Sequence, residues 1–203
     1  MRPGFLLVIE GIDGAGKSTL QRELAAWCTQ RGFETVCGRE PTDGPHGRAL
    51  RASARGGRLP PKTELELFLK DRAEHVKELI QPSLARGAVV ILDRYSFSTA
   101  AYQGARGLNP AAIIAANEAF APIPDLVLLL DLDPASGHAR IGQRGSAPDD
   151  FEGAAYLADV RKIFLGFNHP FIRRVDAGRE VTVVREECLQ WLESELRLRK
   201  LLD

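Results

Sequence analysis

The apolar run "FLLVIE" (5–10) leads directly into "GIDGAGKSTLQ" (11–21), and this junction restricts the fold more than any other part of the chain. Gly11, Gly16, Lys17 and Ser18 satisfy the pattern G-x-x-x-x-G-K-[ST]. The glycines let the backbone turn its N–H groups inward around a phosphate, and a following helix adds the positive end of its dipole. In that arrangement Lys17 reaches the β- and γ-phosphates of a nucleoside triphosphate, and Ser18 holds the magnesium that bridges them. A loop of this kind needs a strand before it and a helix after it.

The remainder alternates in the same sense. Residues 5–10, 33–40, 88–93, 125–132 and 171–176 read as strands. The first, third and fourth are nearly unbroken apolar runs, as expected of strands covered on both faces. Helical patterns are predicted over Lys17–Arg31, Thr63–Arg86, Pro110–Ala119, Pro134–Gln143, Ala154–Phe167 and Glu180–Leu196. Gly32 and Gly87 follow two of them, where terminating glycines belong. Strand–helix alternation predicts an α/β fold, a parallel sheet with helices on both faces and right-handed crossovers. Two Gly/Pro/Arg-rich stretches, "ASARGGRLPP" (52–61) and "GQRGSAPDD" (142–150), read as mobile loops.

A chain of 203 residues suits one domain, with or without a lid. Its formal net charge is zero, so no whole-molecule attraction to nucleic acid or to a membrane is indicated. No apolar run approaches the length of a membrane span, and the apolar start is too short for a secretory signal. Cys28, Cys37 and Cys188 are scattered without metal spacing, which points to a reduced, cytoplasmic setting. Arginine greatly outnumbers lysine. Base composition accounts for the total, whereas particular arginines suit a grip on phosphate.

The phosphate loop fits several activities. A GTPase switch needs D-x-x-G closing a later strand and N-K-x-D for guanine. The D-x-x-G matches fall at Asp13–Gly16 and Asp150–Gly153, neither at the end of a later strand, and N-K-x-D does not occur. A binding or motor ATPase needs the loop alone. A kinase also needs a second anion site at the ends of the strands, where open α/β sheets bind ligands. Three stretches offer one. In "GREPTDGPHGRALR" (38–51), Arg39, Arg48 and Arg51 surround a Pro/Gly turn. In "FLKDRAEH" (68–75), Phe68 and Arg72 share a helical face and could stack on a base and bond its edge; spacing alone favours a core Phe68 and an Arg72 paired with Asp71 or Glu74. In "VVILDRYSFSTAAYQG" (89–104), Asp93 ends a buried strand, where a carboxylate can join the magnesium shell, and Arg94, Ser98, Thr99, Tyr102 and Gln103 follow.

Together with the loop, these stretches resemble the thymidylate kinase family. "EGIDGAGKSTL", "REPTDG" with a following "LR", "LFLKDRAEHV", "DRYSFSTAAYQG" and "PDLVLLLDLDP" stand in that family's order and spacing, from Phe5 to about Phe164. "DRYSFSTAAYQG" is the most specific. The resemblance implies phosphorylation of thymidine monophosphate to the diphosphate by ATP and magnesium. It also implies a five-stranded P-loop kinase sheet in a single domain (1–203), a short lid at about 140–152, and a homodimer. It assigns ATP to Gly11, Ile12, Asp13, Gly14, Ala15, Gly16, Lys17, Ser18 and Thr19, with Arg140 from the lid. Asp13 would touch the acceptor's sugar hydroxyl and help orient its phosphate. Glu40 and Pro41 would line the acceptor pocket, and Arg51 and Arg94 would clamp its phosphate. Phe68 would stack on thymine and Arg72 would bond its edge, with Ser98 and Thr99 near the base. Tyr102 would fill the space beneath the sugar, and Gln103 would help close the pocket.

The lid departs from the family pattern. Such enzymes carry a catalytic arginine in the P-loop or the lid; here the loop position is Gly14, so the lid should supply it. Lids of that kind often read R-G-x-x-D-R-x-E, whereas this one reads "RGSAPDDFE" (144–152), with Asp150 where the second arginine would stand. Arg144 is the expected catalytic residue, with Arg140 as its alternative. Two other functions stay open at this point: a kinase of another deoxynucleotide or nucleoside, and a nucleotide-binding protein with impaired turnover.

Overall fold

Burial of the three unbroken apolar runs sets the architecture. In the computed structural model, which describes residues 3–143 and 153–202, they form the middle of one parallel sheet. Its strands are β1 (Phe5–Glu10), β2 (Thr35–Arg39), β3 (Val89–Asp93), β4 (Leu126–Asp131) and β5 (Ile172–Asp176). They pair in the order β2-β3-β1-β4-β5, all parallel. β1 and β3 are buried from end to end, and β4 up to Asp131, while the edge strands β2 and β5 are only partly covered. Side chains such as Leu7, Ile9, Ile91 and Leu128 are fully buried, each contributing about 1.5–3 kcal/mol of transfer free energy.

The helices packed around the sheet are α1 (Lys17–Gln30), α2 (Pro45–Gly56), α3 (Pro61–His75), α4 (Gln81–Ala85), α5 (Ser96–Gly104), α6 (Pro110–Glu118), α7 (Pro134–Gln143), α8 (Ala154–Gly166) and α9 (Val181–Leu198). Most fall where the sequence placed them, and Gly32 and Gly87 adopt φ +79° and +83° after α1 and α4, as terminating glycines do. Three differences have physical causes. Residues 45–56 are helical rather than a turn and a loop, because Pro45 opens α2 at its first turn and Leu50 buries its inner face. The single helix predicted over Thr63–Arg86 is interrupted by a π-helical turn, Val76–Ile80, closed by the bond from Gln81 N–H to Val76 O. That wider turn accommodates the ring of Pro82, which lacks an N–H and crowds the preceding turn. Finally, residues 96–104 form α5, a helix the sequence did not place, with Ser96 through Gln103 all buried although half of them are polar.

Cys28 and Cys188 are core residues, and burial pushes their thiols up to about 12, which leaves them unreactive. Among the described residues, no helix is long and apolar enough to cross a membrane.

Register then builds the site. Ile9 pairs with Asp93 and Arg39 pairs with Asp93, so the ends of β1, β2 and β3 stop side by side. The loop after β1, the start of α5 and the turn after β2 emerge at this line. It is the switch point where an open α/β sheet receives ligands.

Candidate active site

The glycine loop runs from Gly11 to Gly16, with Gly11, Gly14 and Gly16 all at positive φ. Gly14 could carry no side chain here: at φ +81°, a first side-chain carbon would lie 2.8 Å from Gly137 Cα. An arginine is therefore excluded from this loop position by packing of the loop against α7. No side chain caps α1, so its first-turn N–H groups face the loop. Lys17 is buried, with Nζ donating to Ile12 O at 2.9 Å and standing 3.7 Å from the Asp13 carboxylate. Burial lowers its pKa, and Arg94 adds to that, while Asp13, Asp93 and Glu10 oppose it.

Ser18 and Asp93 stand side by side. Ser18 Oγ donates to Asp93 Oδ2 at 2.6 Å. The other oxygen, Oδ1, is buried without a hydrogen-bond partner. A hydroxyl beside an unsatisfied carboxylate oxygen at a phosphate loop fits a hard, oxygen-seeking cation. The described residues contain no larger His/Cys/Asp/Glu cluster that would hold a metal by itself. A magnesium ion here would rely on phosphate and water oxygens for its other positions, as that ion ordinarily does.

One pocket opens outward from the loop, between Gly14–Gly16, Arg140 on α7, and Ala177, Arg179 and Val181 before and at the start of α9. Arg140 thus lines the pocket beside the loop. Arg144 and Asp150 lie outside the described residues. On the other side of Asp13 a second cleft is lined by Glu40, Pro41, Phe68, Arg72, Arg94, Ser98, Thr99 and Tyr102. Glu40 and Pro41 are joined by a cis peptide bond.

Arg94 stands between the two spaces. Its Nη1 donates to Gly11 O (3.1 Å) and Ser98 Oγ (2.9 Å), and its Nη2 to Asp13 Oδ1 and Tyr102 OH (3.3 Å). The guanidinium also lies 5.0 Å above the Tyr102 ring. Its charge, helped by Lys17, holds the Asp13 carboxyl well below the usual carboxylate range. Arg94 itself adopts φ 71°, a left-handed conformation uncommon in a residue with a side chain.

Arg72 is almost completely buried and is more heavily engaged than the sequence suggested. It pairs with Glu40, not with Asp71 or Glu74: Nε donates to Glu40 Oε2 at 2.9 Å and Nη2 to the same oxygen. Nη2 also donates to Thr99 Oγ1 (3.0 Å), and Nη1 to Asn117 Oδ1. Among the described residues, four of its five N–H donors are therefore occupied and one has no partner. Asp71 instead accepts from the backbone N–H and hydroxyl of Thr42. Phe68 is half-buried on the cleft wall rather than in the core.

Two predicted residues stand apart from the cleft. Gln103 is fully buried and donates to Glu64, which also accepts from Arg58 and Arg106. Arg51, on α2, donates to Pro41 O (2.9 Å) and to Asp43 (2.8 Å). Asp43 also accepts from Arg39 at 3.0 Å, and its carbonyl from Arg48 at 2.7 Å. The acidic residue of the "EPTDG" turn thus gathers the basic residues around it.

Several site residues carried no predicted role. Arg58 lines the cleft, bonded to Glu64 and 5.4 Å from the Tyr156 ring. Asn117, in the last turn of α6, accepts from Arg72 and gives no sequence signal. Glu10 ends β1 with its carboxyl fully buried, and burial raises its pKa to about 7. A charged residue closing an unbroken apolar strand was its available signal.

A glycine loop with its lysine, a hydroxyl–carboxylate pair beside it, and an arginine facing a second cleft define a P-loop kinase. The thymidylate kinase sequence profile matches residues 9–188. Thymidylate kinase from Xylella fastidiosa (strain M12) is 50% identical over 196 residues, covering 97% of this chain and 90% of that protein. Thymidylate kinase from Xanthomonas campestris pv. campestris (strain B100) is 52% identical over 185 residues, covering 91% and 81%. Thymidylate kinase from Akkermansia muciniphila is 51% identical over 186 residues, covering 91% and 90%. The chain belongs to the thymidylate kinase family.

Proposed function

We propose that this protein transfers the γ-phosphoryl group of ATP to thymidine monophosphate, releasing ADP and thymidine diphosphate. The observation that carries the reading is the position of Arg94, held between the phosphate loop and a cleft with an aromatic wall and one free guanidinium N–H at its far end. ATP occupies the outer pocket with its phosphates in the loop, and the acceptor lies in the cleft with its phosphate at Arg94. Phosphoryl transfer asks the protein chiefly to align the two anions and neutralise charge. Lys17 and Arg94 do so from the donor and acceptor sides, and Asp13 orients the acceptor. Ser18 and Asp93 would hold magnesium, which would screen the charge of the donor phosphates. The reading carries with it a cytoplasmic homodimer and a lid at about 140–152. An assay of ADP formation against thymidine, cytidine, guanosine and adenosine deoxynucleoside monophosphates tests it; comparable turnover on all four, or none on the thymidine compound, would overturn it.

Base choice falls to Arg72. Its remaining N–H meets the thymine O4 acceptor, whereas cytosine presents an amino donor there, a mismatch of about 1–3 kcal/mol in a buried site. Truncation to alanine would leave the buried Glu40 with His75, 3.0 Å from its Oε1, as its remaining side-chain partner among the described residues, and would cost stability. Arg72→Lys keeps the charge opposite Glu40 and removes the fork. It should narrow the kcat/KM preference for thymidine over deoxycytidine monophosphate about tenfold; an unchanged ratio would show that Arg72 does not read the base.

Sugar choice falls to Tyr102. Its ring fills space beneath C2′, so Tyr102→Ala should reduce discrimination against uridine monophosphate relative to its deoxy counterpart. Tyr102→Phe keeps the bulk and should preserve it. Equal discrimination in all three enzymes would assign the selection elsewhere.

The second cation on the transferred group comes from the lid, since Gly14 admits none. Arg144 is the proposed residue and Arg140 its competitor. A transition-state arginine affects kcat more than the acceptor's KM. Of Arg144→Ala and Arg140→Ala, the acting one should lose tenfold or more in kcat with little change in that KM. Ordinary turnover in Arg144→Ala moves the role to Arg140.

A further inference from the structure

Glu10 takes no part in the chemistry described above, yet its carboxyl is fully buried one residue before the phosphate loop. Among the described residues it forms no direct ion pair; its partners all belong to the segment that carries Arg94. Oε1 accepts from the backbone N–H groups of Tyr95 (2.9 Å) and Ser98 (3.1 Å), and Oε2 accepts from the Ser98 hydroxyl. Tyr95 supplies no side-chain cap to α5. The carboxyl on β1 therefore caps a helix that follows β3, and burial of so polar a group is tolerated because it is hydrogen-bonded.

The Ser98 bond has a directional consequence. A serine hydroxyl has one hydrogen and two lone pairs. When Glu10 is ionised it takes the serine hydrogen, and the oxygen then accepts from Arg94, whose Nη1 lies 2.9 Å away. Two of the other three contacts of the guanidinium, Gly11 O and Asp13, belong to the loop that receives ATP. Ser98 is locked from behind. The Arg94 backbone is tied to the same strand, through its N–H to Ile9 O at 2.9 Å.

We propose that Glu10 is a positioning residue for the acceptor: through the Ser98 hydroxyl it fixes the Arg94 guanidinium where the acceptor phosphate meets the phosphate loop. The assignment rests on the kinase reading, and the test separates the two. Wild-type enzyme is first assayed with thymidine monophosphate; no turnover there would overturn the kinase reading itself. Glu10→Gln is nearly isosteric and can still accept the two backbone N–H groups. Its amide, however, donates to Ser98, and the serine hydrogen is turned toward Arg94. The KM for thymidine monophosphate should rise roughly tenfold, as for loss of one charge-assisted hydrogen bond, while the KM for ATP stays within about twofold. Ser98→Ala breaks the same link but leaves the backbone bonds to Glu10, so it decides the matter if Glu10→Gln does not fold. The double variant should be no worse than the worse single variant, because both remove one connection. A merely structural carboxyl would raise the two KM values in step or leave both unchanged. Either pattern, or additive effects in the double variant, with an active wild-type enzyme, would overturn the assignment of Glu10 alone.

Discussion

Lys17→Ala is expected to fold and to lose about 10²–10³ in kcat, the loss typical when one preorganised charge-stabilising donor is removed. The lysine sits inside the loop, its ammonium resting on Ile12 O and close to Asp13. Burial already destabilises its charge, so an arriving triphosphate is a better partner than the loop carbonyl it leaves. The gain is largest as charge builds on the transferred group, which is why the loss should fall on kcat. Asp13 keeps Arg94 as its partner in the variant, so the acceptor side stays intact and the KM for thymidine monophosphate should change little. Steady-state kinetics with a thermal melt as control checks this. A folded Lys17→Ala enzyme with near-normal turnover would mean that the loop does not cradle the reacting phosphates.

The sequence disclosed the donor half of this site more completely than the acceptor half. Loop contacts are local: Gly11 to Ser18 adopt their geometry from glycine conformations and the start of one helix, so spacing alone reports them. The acceptor half is assembled from separate segments. Arg72 on α3 meets Glu40 after β2, Thr99 on α5 and Asn117 on α6. No period or motif relates those positions, and the nearby acids Asp71 and Glu74 offered more economical partners. The same holds for Glu10, which acts on α5 across the sheet. Among elements, the buried strands were legible because burial on both faces leaves an unbroken apolar run. α5 was not, because its buried residues include Ser96, Ser98, Thr99 and Gln103, and polar side chains in a buried helix do not read as a core element. The readings of a turn within 38–51 and a loop over 52–61 show the converse error: glycines, prolines and arginines suggested irregular chain, while Pro45 at the first turn and buried Leu50 make residues 45–56 a helix.

Replacing Arg94 should cost more than replacing any other acceptor-side residue, because two effects add. The first is loss of the clamp on the acceptor phosphate. The second concerns Asp13, whose carboxyl is held far below its usual range mainly by Arg94. Without that guanidinium, Asp13 presents a poorly compensated negative charge to an incoming anion, with only Lys17 at 3.7 Å to offset it. The Asp13 side chain is half exposed, so the larger share comes from the clamp: charge-assisted hydrogen bonds to the acceptor phosphate contribute about 1.5–3 kcal/mol each, and loss of a two-bond clamp should lower kcat/KM for thymidine monophosphate about 10³-fold. The backbone separates this functional loss from simple unfolding. Arg94 stands at φ 71°, a conformation that glycine adopts freely and alanine does not. Arg94→Gly should therefore be more stable than Arg94→Ala by about 1 kcal/mol, yet equally inactive. Denaturation midpoints and kcat/KM measured on both variants decide it. If Arg94→Gly recovers to within tenfold of wild type, the residue serves the turn after β3 and not the acceptor phosphate.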